Sequence, residues 1–221
     1  MPSPVGTAVE TTTMFLSEEI IAGDHRAGDR ITESQLVDRY DVSRSTARAA
    51  LQVLAGRGLV ELQPSQGARV TELFDDDAAA LYRLRTMVEP LLVAKFTSRA
   101  SARQVGALDR AVSRFGDTAS CSENLRHIHR DRDAFYEVLF EGAQSVAIEN
   151  VVRVVYGRLA AFRRTQLAPE RELQRIRFTA RIVQGIVPRI SQREIGAVSR
   201  YTARTLAEDG ATTLRLLGAT A

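Results

Sequence analysis

The sequence predicts a mainly α-helical protein with two domains: a small N-terminal domain that ends in a β-hairpin, and a larger, all-helical domain. The chain has 221 residues, 44% hydrophobic and 26% charged, which is enough for two ordinary cores. Apolar residues recur at helical spacing along most of the chain, and two short β-favouring runs, LVELQ and ARVTE, interrupt them once. Three aspartates, which favour a helix N-terminus, follow these runs. We therefore predict domains at residues 1–73 and 74–221.

The N-terminal domain shows three helical patterns in close succession. The first ends at the polar loop AGDHRAGDR, Thr32 can cap the second, ESQLVDRY, and the segment DVS can cap a third that begins near Arg44. The third pattern buries one apolar stripe and turns Arg44, Ser45 and Arg48 to another face. PSQG then joins the two β-favouring runs as a two-stranded hairpin. Helix, helix, turn, helix and hairpin is the order of a winged helix-turn-helix.

The rest of the chain shows only helical patterns. We predict six helices there, at about residues 76–98, 102–115, 122–142, 145–166, 170–187 and 191–208.

Charge is distributed unevenly in the N-terminal domain. Residues 1–72 carry more acidic than basic side chains, yet residues 42–70 hold four arginines against Glu61 alone. Arginines that neutralise phosphates or fork onto guanine, beside small hydroxyl residues, suit a DNA groove. A solvated helix face is the alternative interpretation. The predicted contacts of the third helix and the wing are Ser43, Arg44, Ser45, Thr46, Arg48, Gln66, Gly67 and Arg69.

Several function classes find no support in the sequence. No run approaches the roughly 18 to 20 apolar residues of a membrane span, and the first residues lack the pattern of a signal peptide. We therefore expect a cytoplasmic protein without a membrane partner. Cys121 is the only cysteine, so no disulfide can form within the chain. No nucleophile elbow or phosphate-binding loop is present, and we expect no enzymatic activity.

The segment from Gly28 to Val70 resembles the DNA-binding domain of GntR-type bacterial regulators. It carries a G-x-R-x-x-E-x-x-L start, V-S-R in the third helix, then G-L-V and P-x-x-G-x-x-V. Thr46 replaces the proline usual in that family, and Ala49 replaces the usual acidic residue. Without that acid we expect Arg48 to lack a neighbour that orients it. Ser34 stands where some relatives carry a DNA-contacting arginine, which implies a weaker phosphate contact there.

The C-terminal domain is similar to the FadR-like branch of that family, called FCD. Leu84, Arg85 and Glu89 match its opening motif, and six helices match its shorter, VanR-like subgroup. The resemblance implies a homodimer that binds a palindromic operator and senses a small molecule in its helical domain, with repression relieved by ligand as the commoner mode. The alternatives are a helical domain that only dimerises, and a helical enzyme with an accessory domain.

Many members of that branch hold a divalent metal in the helical domain. The corresponding positions here are Arg132, Tyr136, Thr179 and Tyr201, and none suits a metal, because a guanidinium repels the ion. We expect no metal or other cofactor, and we predict these four residues as the effector site. His129 and Asp133, one helical turn apart, lack a third ligand. Arg132 either binds an effector, such as a carboxylate, or pairs with an internal glutamate; the effector, operator and regulated genes cannot be read from the sequence.

Overall fold

A computed structural model of the chain describes residues 7–64, 66–72 and 75–218. The chain divides into two compact units, and each is described by itself. The N-terminal unit comprises Met1–Phe74 with Arg153–Gln166, and the helical unit comprises Asp75–Val152 with Leu167–Ala221. The N-terminal unit thus includes a segment from the region that the sequence analysis assigns to the second domain.

The N-terminal residues form three helices and a small antiparallel sheet. The helices are α1 (Ala8–Ala22), α2 (Glu33–Tyr40) and α3 (Arg44–Gly56), and the strands are β1 (Arg30–Ile31), β2 (Val60–Gln63) and β3 (Gly67–Val70). The strand order is β1-β3-β2, with Val60 opposite Val70 and Arg30 opposite Arg69. The predicted hairpin is therefore present as β2 and β3. Two-residue β1 was missed because so short a run has no alternation to detect.

Capping explains where these helices begin. Thr7 and Thr32 each form a reciprocal capping box with the residue three positions on, and Ser43 caps α3 through its side chain. Helix α1 ends at Gly23, whose φ of 82° is readily adopted only by glycine. The core of the unit draws on every element of this region and on one later residue, Ala161.

Seven helices follow in the described part of the chain, where the sequence analysis predicted six. They are α4 (Asp75–Arg99), α5 (Ala102–Cys121), α6 (Leu125–Ala143), α7 (Val146–Gln166), α8 (Pro169–Gln184), α9 (Ile186–Ser191) and α10 (Ile195–Leu217). The helix predicted at 170–187 stops at Gln184, since Pro188 has no amide hydrogen to donate to the carbonyl of residue 184. The short α9 follows, and α10 runs beyond residue 208. None of the helices in the described ranges is long and apolar enough to cross a membrane.

The helical unit packs around large apolar side chains, with Phe96, Phe115 and Ile128 fully buried. Residues 153–166 of α7 belong to the N-terminal unit, and within that unit Val154, Gly157 and Arg158 lie against Arg57 and Gly58, just after α3. Gly157 permits that contact, because a Cβ atom there would collide with the carbonyl oxygen of Arg57.

Candidate functional site

Helix α3 presents the predicted DNA contacts on one exposed face. Ser43 Oγ accepts a hydrogen bond from the backbone amide of Thr46 at 3.1 Å, and this cap fixes the start of the helix. The predicted residues Ser34, Ser43, Arg44, Ser45, Arg48, Gln66 and Arg69 are all exposed, while Thr46 and Gly67 are half-buried. Apolar residues of the same helix, among them Ala47, Leu51 and Leu54, are buried.

A groove of about 730 Å³ lies between α3, the start of α2 and the hairpin. Four of the predicted residues line it: Ser34, Arg48, Gln66 and Gly67. Ser43, Arg44, Ser45, Thr46 and Arg69 are outside its lining. The structure therefore brings the start of α2, one face of α3 and the wing together, as a surface that contacts a nucleic-acid groove requires.

Arg48 has an orienting partner, which corrects the expectation that the loss of an acid at position 49 leaves it without one. Its Nε donates to Glu33 Oε1 at 2.6 Å and its Nη2 donates to Glu33 Oε2 at 3.1 Å. The hydrogen bond from Arg48 lowers the pKa of Glu33, and the same bond raises the pKa of Arg48. The carboxylate comes from α2, fifteen residues away, so no inspection of neighbouring residues would have found it.

The wing is held by main-chain contacts that the sequence analysis did not foresee. Arg30 Nε donates to the carbonyl of Gln66 at 3.0 Å, and Arg69 Nη1 donates to the carbonyl of Gly28 at 2.8 Å. Gly67 has a φ of 89°, and a Cβ atom there would collide with the carbonyl of Ile31. Arg30 is thus a supporting residue of the wing, and Arg69 is partly engaged in the same role.

A chain of buried charges crosses the helical unit. Arg85 of α4 donates to Glu89 Oε1 at 2.6 Å and to Asp209 Oδ2 of α10 at 2.9 Å. Tyr136 of α6 donates its hydroxyl to Glu89 Oε2 at 2.9 Å. Asp209 Oδ1 lies 3.0 Å from Thr179 Oγ1 of α8. Four helices therefore meet through polar side chains inside an apolar bundle.

The chain of charges continues along α8. Arg175 donates to both carboxylate oxygens of Glu172 at 2.7 Å, and its Nη1 lies 3.9 Å from Asp209. His129 Nε2 lies 3.5 Å from Glu172 Oε1. Burial alone lowers the pKa of Arg85, but the charges of Glu89 and Asp209 outweigh it and raise that pKa. Both arginines are therefore cations at any practical pH.

Two of the four predicted effector residues share a cavity. Tyr136 and Thr179 line this cavity, which has a volume of about 20 Å³. Arg132 is 2% exposed and donates from Nε and Nη2 to Asp133 at 3.2 and 3.0 Å. Tyr201 donates to the carbonyl of Ile182 at 3.1 Å, and Arg189 lies over its ring. Neither Arg132 nor Tyr201 lines that cavity.

Three charged residues of the lining were missed: Arg85, Glu89 and Asp209. The first two had a detectable pattern, since opposite charges four residues apart stand within the apolar stripe of α4. Asp209 had no such local pattern, because its partners come from α4 and α8.

The residues at the positions of the family's metal do not fit a metal ion. Tyr136 donates a hydrogen bond to a carboxylate, and burial, followed by the charge of Glu89, raises the pKa of Tyr136. Arg132 is a fixed cation. Across the described ranges, no group of three or more His, Cys, Asp or Glu side chains is placed to hold a metal.

Comparison with known proteins assigns both parts of the chain. Residues 10–70 match the sequence profile described as bacterial regulatory proteins, gntR family, and residues 80–208 match that of the FCD domain. The chain belongs to the GntR family. The VanR-like subgroup stays a prediction.

Two curated relatives of this chain are named HTH-type transcriptional regulators. YdhC of Bacillus subtilis (strain 168) is 26% identical over 140 residues, or 63% of this chain. BphR of Paraburkholderia xenovorans (strain LB400) is 27% identical over 170 residues, or 72% of this chain. The matches span 62% and 67% of the lengths of these two relatives.

Solved structures share the fold of this GntR family member. McbR/YncC of E. coli aligns with a TM-score of 0.72 at 13% identity, over 97% of this chain and 98% of that one. A GntR regulator structure from Rhodococcus sp. RHA1 aligns with a TM-score of 0.66 at 22% identity, over 96% and 99% of the two chains. The fold of this chain is therefore shared with these two solved structures over nearly their whole length.

Proposed function

We propose that this protein is a ligand-responsive transcription regulator, a repressor that binds a palindromic DNA operator as a homodimer in the cytoplasm. The observation that carries the proposal is the exposed face of α3, with Arg44 and Arg48 beside small hydroxyl residues and next to the wing. Arginines and small donors supply the phosphate and base contacts that DNA recognition needs. Family membership supports regulation, rather than catalysis, as the role.

Selection from a random duplex library, followed by fluorescence anisotropy, tests DNA binding. We expect a palindromic site, because a two-fold symmetric dimer places the same helix on two half-sites. The Arg44→Ala and Arg48→Ala variants should each bind it more weakly. If both variants bind the selected site with the affinity of the wild type, the exposed face of α3 does not contact DNA as proposed.

Dimerisation through α4 is supported by an exposed apolar pair. Met87 and Leu91 are 67% and 56% exposed and lie one helical turn apart. Contiguous exposed apolar surface of this kind is typical of protein interfaces. Light scattering should therefore report twice the 24.3 kDa chain mass. Met87→Glu with Leu91→Glu should shift the protein towards monomer, whereas Met14→Glu, at another exposed methionine, should not; an unchanged dimer in the double variant would reject this interface.

For the effector, we propose a site at the cavity lined by Tyr136 and Thr179, extended by Arg85, Glu89 and Asp209. Its mostly apolar lining with a few convergent polar groups is the composition of a ligand site, although the cavity must widen to admit a metabolite. Arg132 and Tyr201 would act from its periphery. A metabolite screen by thermal shift tests this, because a ligand that binds only the folded state raises the melting temperature. A helical domain that only dimerises would respond to none.

A further inference from the structure

The buried charges around the effector cavity contain no positive charge in excess, and we propose that the cavity selects an uncharged, hydrogen-bond-donating ligand with an apolar body. This inference rests on the proposed effector function. The sequence analysis left Arg132 to bind either an effector or an internal glutamate, and in the structure it donates to Asp133. The inference therefore replaces the carboxylate effector with a neutral ligand.

The charge balance leaves no cation in excess for an anionic ligand. The cavity lining carries one arginine, Arg85, and two carboxylates, Glu89 and Asp209. Arg175 lies 3.9 Å from Asp209 but is already bound to both carboxylate oxygens of Glu172, so two buried arginines face three buried carboxylates. An added anion would therefore be desolvated without a matching positive charge, which is strongly unfavourable. An added cation would have to compete with the arginines for carboxylates that they already bind.

The remaining polar groups of the cavity are mostly acceptors. Thr202 and Thr205 donate their hydroxyl hydrogens to the carbonyls of Val198 and Tyr201, at 2.8 and 2.9 Å. Tyr136 donates its hydrogen to Glu89. The hydroxyl oxygens of Thr202 and Thr205 have lone pairs that can accept, so a ligand with an N–H or O–H group is favoured.

The other walls are apolar, and the cavity is small. Leu92, Val93, Phe135, Leu139 and Leu206 are among the lining residues. About 20 Å³ holds one water molecule. A larger ligand must therefore displace apolar side chains at the cavity. The methyl groups of Val93 and Leu206 should consequently shift in NMR spectra when a ligand binds.

The experiment compares three probes of one shape: benzamide, benzoate and benzylammonium, together with the corresponding pentyl series. Binding to the full-length protein is followed through the assigned methyl resonances of Val93 and Leu206. We expect the amide to bind about tenfold more tightly than either ion. This ratio corresponds to a difference of about 1.4 kcal/mol in binding free energy, caused by the unmatched charge of the ion. Tighter binding of a carboxylate or an ammonium probe overturns the inference.

Glu89→Gln is the matching variant. It removes one negative charge beside Arg85, so benzoate should gain affinity relative to benzamide. If this variant does not fold, the wild-type comparison still decides. If no probe of either series perturbs the methyl groups, the effector site itself is rejected, and the neutral-ligand inference fails with it; DNA binding tested separately would be untouched by that result.

A second, independent observation concerns the DNA-reading face. From the two hydrogen bonds that join Glu33 to Arg48, we infer that Glu33 is a positioning residue that directs Arg48 onto a guanine. Glu33 occupies the Nε edge of the guanidinium, at 2.6 Å, and one hydrogen of Nη2, at 3.1 Å. The guanidinium has five N–H donors, so three at its far end stay available.

Two of those three donors, one on Nη1 and one on Nη2, can form the fork that matches the O6 and N7 atoms of guanine. Without Glu33, the Arg48 side chain, which is 66% exposed, would sample many rotamers. Fixing it in one rotamer on binding DNA would then cost conformational entropy. The carboxylate of Glu33 limits that freedom before DNA arrives. Glu33 also lines the groove that contains Arg48, so the pair lies on the face that meets the bases.

The test separates positioning from simple charge. Sites selected by wild-type and Arg48→Ala protein identify the base that Arg48 reads, which we expect to be guanine. In Glu33→Gln, the preference for that guanine should fall about five- to tenfold, part of what one bidentate arginine contact supplies. Affinity for random DNA should be unchanged or higher, because a negative charge near phosphates has been removed.

Asp38→Asn is the control. Asp38 is an exposed acid on the same helix, so the variant removes the same charge and should raise non-specific affinity without altering base preference. An unchanged guanine preference in Glu33→Gln overturns the inference, as does a base other than guanine at the Arg48 position. An equal loss of preference in both variants would show a general charge effect and overturn it as well.

Discussion

Arg48 in the N-terminal unit and Arg85 in the helical unit each donate from Nε to a glutamate at 2.6 Å. The first pair is exposed, with 66% of the Arg48 side chain in contact with solvent, and the second is buried, with 4% of Arg85 exposed. The same bond therefore has different consequences. In the exposed pair it orients a guanidinium that we propose to contact DNA, whereas in the buried pair it keeps the fold from containing an uncompensated charge.

The surroundings of each arginine set this difference. Arg48 can be hydrated if Glu33 is lost, so an exposed pair contributes little to stability. Glu89 and Asp209 cannot be hydrated if Arg85 is lost, because both are buried among apolar residues. Variants of the two arginines should consequently affect different measurements.

The largest expected effect is that of Arg85→Met. The substitution keeps an apolar side chain of similar length but leaves two buried carboxylates without their shared cation, which should cost about 3 to 5 kcal/mol in the free energy of unfolding. Urea denaturation followed by circular dichroism measures it. Arg83→Met, at an exposed position of the same helix, is the control and should change the free energy by at most about 0.5 kcal/mol. Equal losses of unfolding free energy in the two variants would contradict the account of Arg85 as the cation that buried carboxylates require.

The comparison also explains what could be predicted from the sequence. The exposed face of α3 could be predicted, because the helix has an apolar stripe on one side and Arg44 and Arg48 on another, and only the second side can face solvent. Position 132 is likewise the missing member of an apolar seam formed by Leu125, Ile128, Phe135 and Leu139. The seam predicts that Arg132 faces inward, and Arg132 is 2% exposed. Helical periodicity thus gave the facing of single residues in both units.

Partners across helices could not be predicted. Glu33 reaches Arg48 from α2, and Asp209 reaches Arg85 from α10 at a separation of 124 residues. Such pairs depend on how helices pack, which periodicity within one helix does not specify. For that reason the sequence groups Arg132 and Tyr201 with Tyr136 and Thr179 but does not reveal that Arg85, Glu89 and Asp209 also line the cavity of the latter two.

A smaller effect is expected from Tyr136→Phe, which sharpens the description of the buried pair. The Tyr136 hydroxyl donates to the charged Glu89 at 2.9 Å, and hydrogen bonds to charged groups contribute about 1.5 to 3 kcal/mol. Tyr201→Phe is the matched control, because its hydroxyl donates to the neutral carbonyl of Ile182, and such a bond contributes about 0.5 to 1.5 kcal/mol. Denaturation of both variants measures the difference. A larger loss in Tyr201→Phe would contradict the account of Glu89 as a buried carboxylate that depends on its donors.

The smallest effect on stability should come from Arg48→Ala. The same substitution should nevertheless weaken DNA binding strongly. Since Arg48 and Glu33 can both be hydrated after separation, the free energy of unfolding should change by at most about 0.5 kcal/mol. Affinity for the selected operator should fall by about 1 to 3 kcal/mol, the range for loss of one arginine that reads a base. Denaturation and fluorescence anisotropy on the same preparation give both values. A loss of several kcal/mol in stability would mean that the exposed pair supports the fold, and the contrast with Arg85 would then be one of degree.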